Sequence, residues 1–281
     1  MRQLVQRIEQ TTFLDPIAGE VAVLAKRLTA PRAVKNALSG VWLGHRFHPL
    51  LVAIPMGAWT SALVFDLVAT PAARSAADLL VGFGVLSALP TVATGESDFA
   101  DLHGAEQRVA FVHAAANTTA LSAYVLSLAS RSLGWRGLGF GLSLLGMGAV
   151  SVGGYLGGHL TYRMGTGVDR TAFEPTVDDW TPTVPELYVG EGQLRLVGAG
   201  EAQILLVRTE GQIFALSAVC NHAGGPLQEG TLCGSTIRCP WHGSEFHLSD
   251  GSVVQAPATG PQRSYETRVV GGIVQVRARP D

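Results

Sequence analysis

The sequence predicts an α + β multidomain protein, in which an N-terminal four-helix transmembrane bundle is followed by a small antiparallel β domain. Four apolar runs in the first 160 residues each have about the twenty residues needed to cross a bilayer. From about residue 186 the pattern changes to short β-type runs separated by glycine-containing turns. Only 15% of the residues are charged and the mean hydropathy is +0.26, which is unusual for a soluble protein.

Residues 1–44 are predicted to be a soluble or interfacial helical segment. The first ten residues mix charges into their apolar positions, which is not the pattern of a signal peptide. Asp15 and Pro16 then open a helix whose apolar residues recur at helical spacing: Ile17, Val21, Leu24, Ala25 and Leu28. We expect an amphipathic helix that lies on the membrane surface.

The membrane domain is predicted over residues 45–164. Its four helices are expected at residues 50–69, 76–95, 109–130 and 137–160. Asp66 and Asp78 are charges near the ends of two of these runs. The fourth run carries glycines four residues apart, a pattern that lets membrane helices approach closely: Gly137 and Gly141, Gly153 and Gly157, and Gly154 and Gly158. A soluble helical core is the alternative, but the short polar links between the runs disfavour it.

The distribution of charge predicts the orientation of the bundle. Four crossings place both ends of the chain on one side of the membrane, and basic residues cluster just before the first crossing. The positive-inside rule therefore places both termini and the β domain in the cytoplasm. The formal net charge of −2 shows no basic footprint, so no nucleic-acid partner is expected.

After a linker at residues 165–185, the β domain at 186–281 contains two short hooks. They read Cys220-Asn-His222 and Cys239-Pro-Trp-His242. Two cysteines and two histidines could bind zinc, but structural zinc sites usually pair cysteine with cysteine and histidine with histidine along the chain. A two-iron, two-sulfide cluster can use two cysteines on one iron and two histidines on the other. The glycines that follow each hook would let backbone amides turn toward the sulfurs, which also favours iron.

The longer motifs around the hooks, Cys220-Asn-His-Ala-Gly-Gly-Pro-Leu and Cys239-Pro-Trp-His-Gly-Ser-Glu-Phe, resemble the Rieske ferredoxin domain. The resemblance implies a 2Fe-2S cluster with the inner iron on Cys220 and Cys239 and the outer iron on His222 and His242. High-potential respiratory members have an extra cysteine in each hook and a nearby tyrosine. This chain departs from that pattern at three positions, which are Gly225, Trp241 and Phe246. We therefore expect a potential toward the lower end of the Rieske span of about −150 to +300 mV.

The membrane part carries a second resemblance. Its motifs are similar to those of a four-helix bacterial membrane family whose members are sometimes fused to Rieske domains: Trp42-Leu-Gly-His-Arg-Phe-His-Pro, Pro55-Met-Gly-Ala-Trp, Thr94-Gly-Glu-Ser-Asp and Gly157-Gly-His-Leu-Thr-Tyr-Arg-Met-Gly. One departure is Arg46-Phe47, where that family would have Pro-Leu between the two histidines. The resemblance implies a multi-pass protein of the bacterial inner membrane.

Several residues outside the hooks are further candidates. His48, His113 and His159 lie near the cytoplasmic ends of the predicted helices, and ionisable residues inside a membrane are usually functional. His113 and His159 are candidates for a haem b pair, and all three are candidates for a haem or quinone site. The alternative is interfacial histidines that bond to backbone and water. Cys233 lies in an apolar strand-like run and is expected to be a buried core residue.

Two functions follow from these features. The first is a membrane-anchored Rieske-type protein that carries single electrons between a reductase and an oxidase, oxygenase or quinone. The second is a redox sensor, in which the cluster state alters the contact between head and membrane domain. We expect an electron-transfer component rather than a self-sufficient enzyme. A complete ring-hydroxylating oxygenase needs a large domain with a 2-His-1-carboxylate iron site, for which the stretch after His242 is too short.

Overall fold

The computed structural model describes residues 2–279, in which helices precede strands. The α-helices are α1 (Arg2–Gln10), α2 (Asp15–Leu28), α3 (Arg32–Ser39), α4 (His48–Val68), α5 (Pro71–Phe99), α6 (Gly104–Ser132) and α7 (Arg136–His159), and a π-helical turn (Leu160–Met164) extends α7. The chain forms two compact units. The first, the helical unit, comprises Met1–Ala30 and Phe47–Thr166. The second, the β unit, comprises Pro31–Arg46 and Gly167–Asp281.

Four helices of the helical unit are long and apolar enough to cross a membrane. They are α4, α5, α6 and α7 with its π-helical turn. Each corresponds to one predicted run, so the predicted bundle of four long helices is confirmed. The helices continue past the apolar runs because polar residues can extend a helix beyond the bilayer. At the start of α5, for example, the Thr70 hydroxyl accepts a hydrogen bond of 3.2 Å from the Ala73 amide, and Pro71 occupies the first turn.

Glycines of α7 form a seam against α6. A Cβ atom would come within 2.7 Å of α6 side chains at Gly139 and Gly146, and within 2.4 Å at Gly153. The side chains in the way are Arg131, Tyr124 and Asn117, in that order. The three glycines recur every seven residues, the repeat of a left-handed helix pair. They therefore let α6 carry large side chains at the closest point of the interface.

The predicted glycine pairs match this seam only in part. Gly153 and Gly157 face α6, and a Cβ at Gly157 would lie 3.2 Å from the His113 ring. Gly137 and Gly141 instead face open space. The prediction used a four-residue spacing, whereas the close contacts of α7 follow a seven-residue repeat.

The helical unit also contains a buried charge network that the sequence did not reveal. The Arg131 side chain is only 2% exposed and bonds to Asp66 of α4. It also donates to Asp78 of α5 at 3.0 Å, and Arg136 donates to the same carboxylate at 2.8 Å. Buried charges are tolerated when they are paired in this way. The network therefore ties four helices together at one end of the bundle.

The N-terminal helices α1 and α2 pack on this bundle with small residues. The buried residues of α2 are Ala18, Ala22 and Ala25. Three larger side chains of the predicted stripe point outward, with Ile17, Leu24 and Leu28 at 50%, 57% and 69% exposed. Val21 and Ala25 of the same stripe pack on the helical core, so the stripe matches the packed face only in part. An interfacial position for the exposed apolar side chains stays a prediction.

The β unit is built from two antiparallel sheets. Its strands are β1 (Thr181–Pro185), β2 (Leu194–Ala199), β3 (Ala202–Thr209), β4 (Gln212–Ser217), β5 (Thr231–Cys233), β6 (Thr236–Arg238), β7 (Glu245–His247), β8 (Val253–Gln255), β9 (Ser264–Val270) and β10 (Ile273–Ala278). The larger sheet has the order β1-β10-β9-β4-β3-β2, and the smaller has the order β5-β6-β7-β8. These sheets confirm the antiparallel β domain predicted from the short runs.

Strand β3 separates two hydrophobic cores. Ile204 and Leu206 point into a core formed with β9 and β10. Leu205 and Val207 point the other way, into a core that includes both hook cysteines. Cys233, by contrast, is half-buried rather than a core residue, because it ends β5 beside the turn at Gly234. The core around the hooks is thus formed without the third cysteine.

The charge network yields a stability prediction. Replacing Arg131 with Met removes the cation that Asp66 and Asp78 share, so the free energy of unfolding should fall by about 3–5 kcal/mol. The control is Arg74→Met, the same change at an exposed arginine on α5. Thermal unfolding in detergent micelles measures both, and equal melting temperatures would show that the network does not stabilise the bundle.

Candidate metal centre

The two hooks fold as loops with the same backbone hydrogen bonds. The first loop follows β4 and the second joins β6 to β7. In each loop the cysteine carbonyl accepts from the amide four residues later, at 2.8 Å for Cys220 and 3.2 Å for Cys239. The cysteine amide donates to the carbonyl five residues later, at 2.8 Å in both loops. The hooks are therefore two copies of one loop, although their histidines differ by one position.

Glycines make these loops possible. The residue four positions after each cysteine has a left-handed backbone, with φ of 83° at Gly224 and 77° at Gly243. Glycine adopts this conformation without steric cost. Gly225 is required for a different reason, since a Cβ there would lie 2.8 Å from the Cys239 sulfur. The two loops thus approach each other through a residue that has no side chain.

The two sulfurs lie together inside the unit. Cys220 is 1% exposed and Cys239 is 3% exposed. The backbone amides of His222 and Ala223 bond to the first sulfur, and those of Trp241 and His242 bond to the second. These contacts are the turned amides that the glycines predicted.

Acid–base properties follow from the pairing of the thiols. A hydrogen bond to Cys239, together with burial, raises the pKa of Cys220. The same hydrogen bond lowers the pKa of Cys239 to about 6, and the backbone amides act in the same direction. The loop amides favour thiolates, which are the form that binds metals.

The two imidazoles form a second pair on the outer side of the sulfurs. The ring centroids of His222 and His242 are 5.0 Å apart, and both residues are partly exposed. Burial of its ring, together with nearby cations, lowers the pKa of His222 to about 2. The ring is therefore neutral at physiological pH, as metal binding requires.

A polar framework built on Asn221 and Gln262 holds the first loop. The Asn221 side chain donates to the carbonyls of Gly260 and Pro261, at 2.9 and 3.0 Å. The buried Gln262 side chain accepts from the Asn221 amide at 2.9 Å and donates to two carbonyls of the strand that leads into the loop. Gly251 makes room for this segment, since a Cβ there would lie 1.9 Å from the Gln262 carbonyl. These contacts join residues that are far apart in the sequence, so the role of Gln262 could not be predicted from its neighbours in the chain.

The arrangement of the four side chains fits a two-iron cluster. The hooks present two buried sulfurs as one pair and two partly exposed imidazoles as another. This two-plus-two arrangement is the ligand set of a cluster with cysteines on one iron and histidines on the other.

Histidines of the helical unit form a separate polar site. The rings of His48 and His113 are 6.4 Å apart and nearly perpendicular. His48 bonds through Nδ1 to the Thr91 carbonyl at 2.9 Å, and His113 bonds through Nδ1 to the Gly153 carbonyl at 2.8 Å. The structure thus brings together two of the three predicted membrane histidines.

The third membrane histidine has a different partner. His159 bonds through Nε2 to the Glu9 carboxylate of α1 at 2.9 Å. Sequence direction alone suggested His113 and His159 as a pair. The structure instead pairs His113 with His48, because Gly157 and Gly95 leave space beside their rings.

Taken together, the β fold and the paired ligand sets define an iron–sulfur protein of the Rieske class. Residues 179–266 match the family described as Rieske 2Fe-2S domain. Residues 44–170 match the family described as "Predicted membrane protein (DUF2231)". The chain belongs to the Rieske 2Fe-2S family, in a form fused to a DUF2231 domain. Both resemblances predicted from the motifs are confirmed.

Curated relatives match the β unit. Human apoptosis-inducing factor 3 is 37% identical over 87 residues, which are 31% of this chain and 14% of that protein. Ferredoxin CarAc of Metapseudomonas resinovorans is 36% identical over 86 residues, covering 30% of this chain and 80% of the ferredoxin. The anthranilate 1,2-dioxygenase ferredoxin subunit of Burkholderia cepacia is 31% identical over 105 residues, covering 37% of this chain and 95% of the subunit.

One solved structure similar to the β unit is the ferredoxin of carbazole 1,9a-dioxygenase from Nocardioides aromaticivorans IC177. It is 23% identical with a TM-score of 0.35, covering 36% of this chain and 100% of that chain. Coverage of the curated relatives is uneven: the chain spans 14% of the length of the human protein but most of each bacterial ferredoxin. The similarity to the two curated bacterial ferredoxins, most of whose length is matched, indicates an electron-carrier role.

The contact at Gly225 predicts how the loops tolerate substitution. Gly225→Ala should reduce the iron and acid-labile sulfide bound per chain, because its Cβ would displace the Cys239 sulfur. The matched control is Gly198→Ala on β2, where a Cβ meets nothing within 4 Å. Full cluster content in Gly225→Ala would show that the loops do not need this close approach.

Proposed function

We propose that this chain is a membrane-anchored, Rieske-type carrier of single electrons between a reductase and an oxidase, an oxygenase or a membrane quinone. One observation carries the proposal: two matching loops hold a buried sulfur pair beneath a partly exposed imidazole pair. Similarity to the ferredoxin subunit of a dioxygenase supports it. A bound 2Fe-2S cluster supplies a centre that gains and loses one electron at a time.

The proposed ligands divide the site into an inner and an outer part. Cys220 and Cys239 would hold the inner iron as thiolates, with the loop amides donating to the sulfurs. His222 and His242 would hold the outer iron through neutral rings. The hydrogen bonds to sulfur would stabilise the more electron-rich state of the centre.

Electrons would enter and leave at the histidine side. The sulfurs lie against the hydrophobic core, whereas both imidazoles reach the surface. Trp241, which is 56% exposed, lies beside His242 with ring centroids 6.3 Å apart. We infer that a redox partner contacts this side, since the imidazoles are the proposed ligands that reach solvent.

The membrane helices would anchor the carrier in the bacterial inner membrane, with the β unit on the cytoplasmic side. Four apolar helices and the match to a membrane-protein family support the anchoring. The orientation is inferred from the basic residues that precede α4. A carrier fixed to the membrane would meet membrane-bound partners more often than a soluble ferredoxin would.

The paired membrane histidines support a second redox site, for haem b or a quinone. His48 and His113 lie on different helices with their rings 6.4 Å apart. Asn117 donates from Nδ2 to His113 Nε2 at 3.1 Å, so a ligand would compete with this amide for the ring nitrogen. A quinone there could exchange hydrogen bonds with these rings, and His159 would act only by positioning α1.

A spectrum of the purified full-length protein tests the carrier proposal. We expect one 2Fe-2S centre per chain in the EPR spectrum after reduction, and Cys239→Ser or His242→Cys should abolish or alter it, because each changes a proposed ligand. The optical spectrum of the same sample would show whether haem is present.

The control for these variants is Cys233→Ser, which removes the cysteine outside the hooks and should leave the spectrum unchanged. Zinc as the sole metal, at one atom per chain, would overturn the proposal.

Cysteine labelling tests the orientation. In a Cys233→Ser background, Ser132→Cys should react with an impermeant maleimide on intact cells, because the end of α6 would face outward. Thr176→Cys should react only after the cells are opened, since it lies in the β unit. Both positions are exposed in the structure. The opposite labelling pattern would place the β unit outside the cytoplasm.

A further inference from the structure

The segment before the membrane helices belongs to the β unit. This pre-membrane segment, residues 31–46, includes α3. The Asn36 side chain donates to the Val254 carbonyl at 3.0 Å and accepts from the Ala256 amide at 2.9 Å. Because β8 is an edge strand, this amide group takes the place of a neighbouring strand. The bonds fix α3 on the smaller sheet.

Other contacts bring this segment to the first cysteine loop. A Cβ at Gly260 would lie 3.5 Å from the Gly44 carbonyl. The Gly260 carbonyl in turn accepts from Asn221, the residue between the two ligands of the first hook. Near the end of the segment, the Arg46 side chain packs closely on Gly167, where a Cβ would meet it at 2.8 Å.

The chain after the membrane helices reaches the same loop. The Arg170 amide donates to the Asn221 carbonyl at 2.9 Å. The Arg170 side chain passes 3.9 Å from the Cβ position of Gly224. Residues on both sides of the membrane helices in sequence thus border the loop that carries Cys220 and His222.

These contacts bring the two stretches of chain that carry three cations to the first hook. Arg46, Lys35 and Arg170 all act electrostatically at the position of His222, in that order of strength. Lys35 is only 8% exposed, and lysine is rarely so buried. Arg46 is half-buried and Arg170 is exposed. We call these three residues the cationic collar.

Reduction of a metal centre adds one negative charge to it. A fixed positive charge nearby lowers the energy of the reduced state more than that of the oxidised state. We propose that the cationic collar stabilises the reduced cluster and thereby raises its reduction potential. This proposal depends on the cluster proposed above for the hooks. The collar would oppose the low potential expected from Gly225, Trp241 and Phe246.

Burial determines how strongly salt screens each member of the collar. Water and salt screen exposed charges, whereas a buried charge is screened much less. The effect of the buried Lys35 should therefore change little with ionic strength. The effect of the exposed Arg170 should be the smallest of the three and should shrink as salt is added.

A redox titration of full-length protein, followed by EPR, tests the collar. With Lys35→Met, the ratio of reduced to oxidised cluster at a fixed applied potential should fall about three- to tenfold. That change equals a shift of about −28 to −59 mV for one electron. Lys35→Arg keeps the charge and should restore a potential near the wild-type value.

Two further variants and one control complete the test. Arg46→Gln should also lower the potential, and Arg170→Gln should lower it by less than Lys35→Met and Arg46→Gln do. Arg195→Gln removes the same charge from an exposed site on β2 and should leave the potential unchanged. If Lys35→Met does not assemble a cluster, the reduction potentials of the two arginine variants test the proposal, because those positions are less buried.

The outcomes separate the collar from the proposed function. An intact 2Fe-2S signal with the wild-type potential in Lys35→Met and in both arginine variants would overturn the collar alone. An equal shift in Arg195→Gln would also overturn it, because net charge would then explain the effect. A wild-type protein without any 2Fe-2S signal would overturn the proposed function itself.

Discussion

One backbone hydrogen bond, repeated in two loops, determines the order of the site from inside to outside. In each loop the amide four residues after the cysteine donates to the cysteine carbonyl, and a left-handed glycine supplies that amide. The bond folds the chain back over the sulfur, so the intervening amides face inward. The histidine side chain of each loop therefore points outward, toward the surface. Burial of the sulfurs and partial exposure of the imidazoles are two results of the same turn.

The helical unit solves a different problem, because a bilayer offers no water to its polar groups. Its charges are therefore neutralised by each other, and Arg131 reaches Asp66 and Asp78 from a third helix. The arginine can reach them because Gly139 leaves room for its side chain on α7. Glycines have the same role in both units. Each allows a neighbouring side chain or backbone segment to lie where a Cβ atom would clash with it.

Features that depend on residues close together in the chain were predicted from the sequence. Features that depend on contacts between distant residues were not. Hook spacing and apolar runs are local patterns, and they predicted the loops, the four long helices and the β domain. The partner of His113 depends on how helices pack, so sequence direction could not identify His48. One missed feature had a usable signal, since aspartates in apolar helices need a cation. Asp66 and Asp78 therefore pointed to an arginine on another helix.

The potential of the site then depends on a balance between two sets of residues. Phe246 is fully buried beside the cysteines and has no hydroxyl to donate to a sulfur, which favours the oxidised state. The cationic collar acts in the opposite direction and comes mainly from chain outside the hooks. A β unit without residues 31–46 would keep the first effect and lose Lys35 and Arg46. On this proposal, the segment that precedes the membrane helices does more than lead into them: it supplies charges that act on the potential of the cluster.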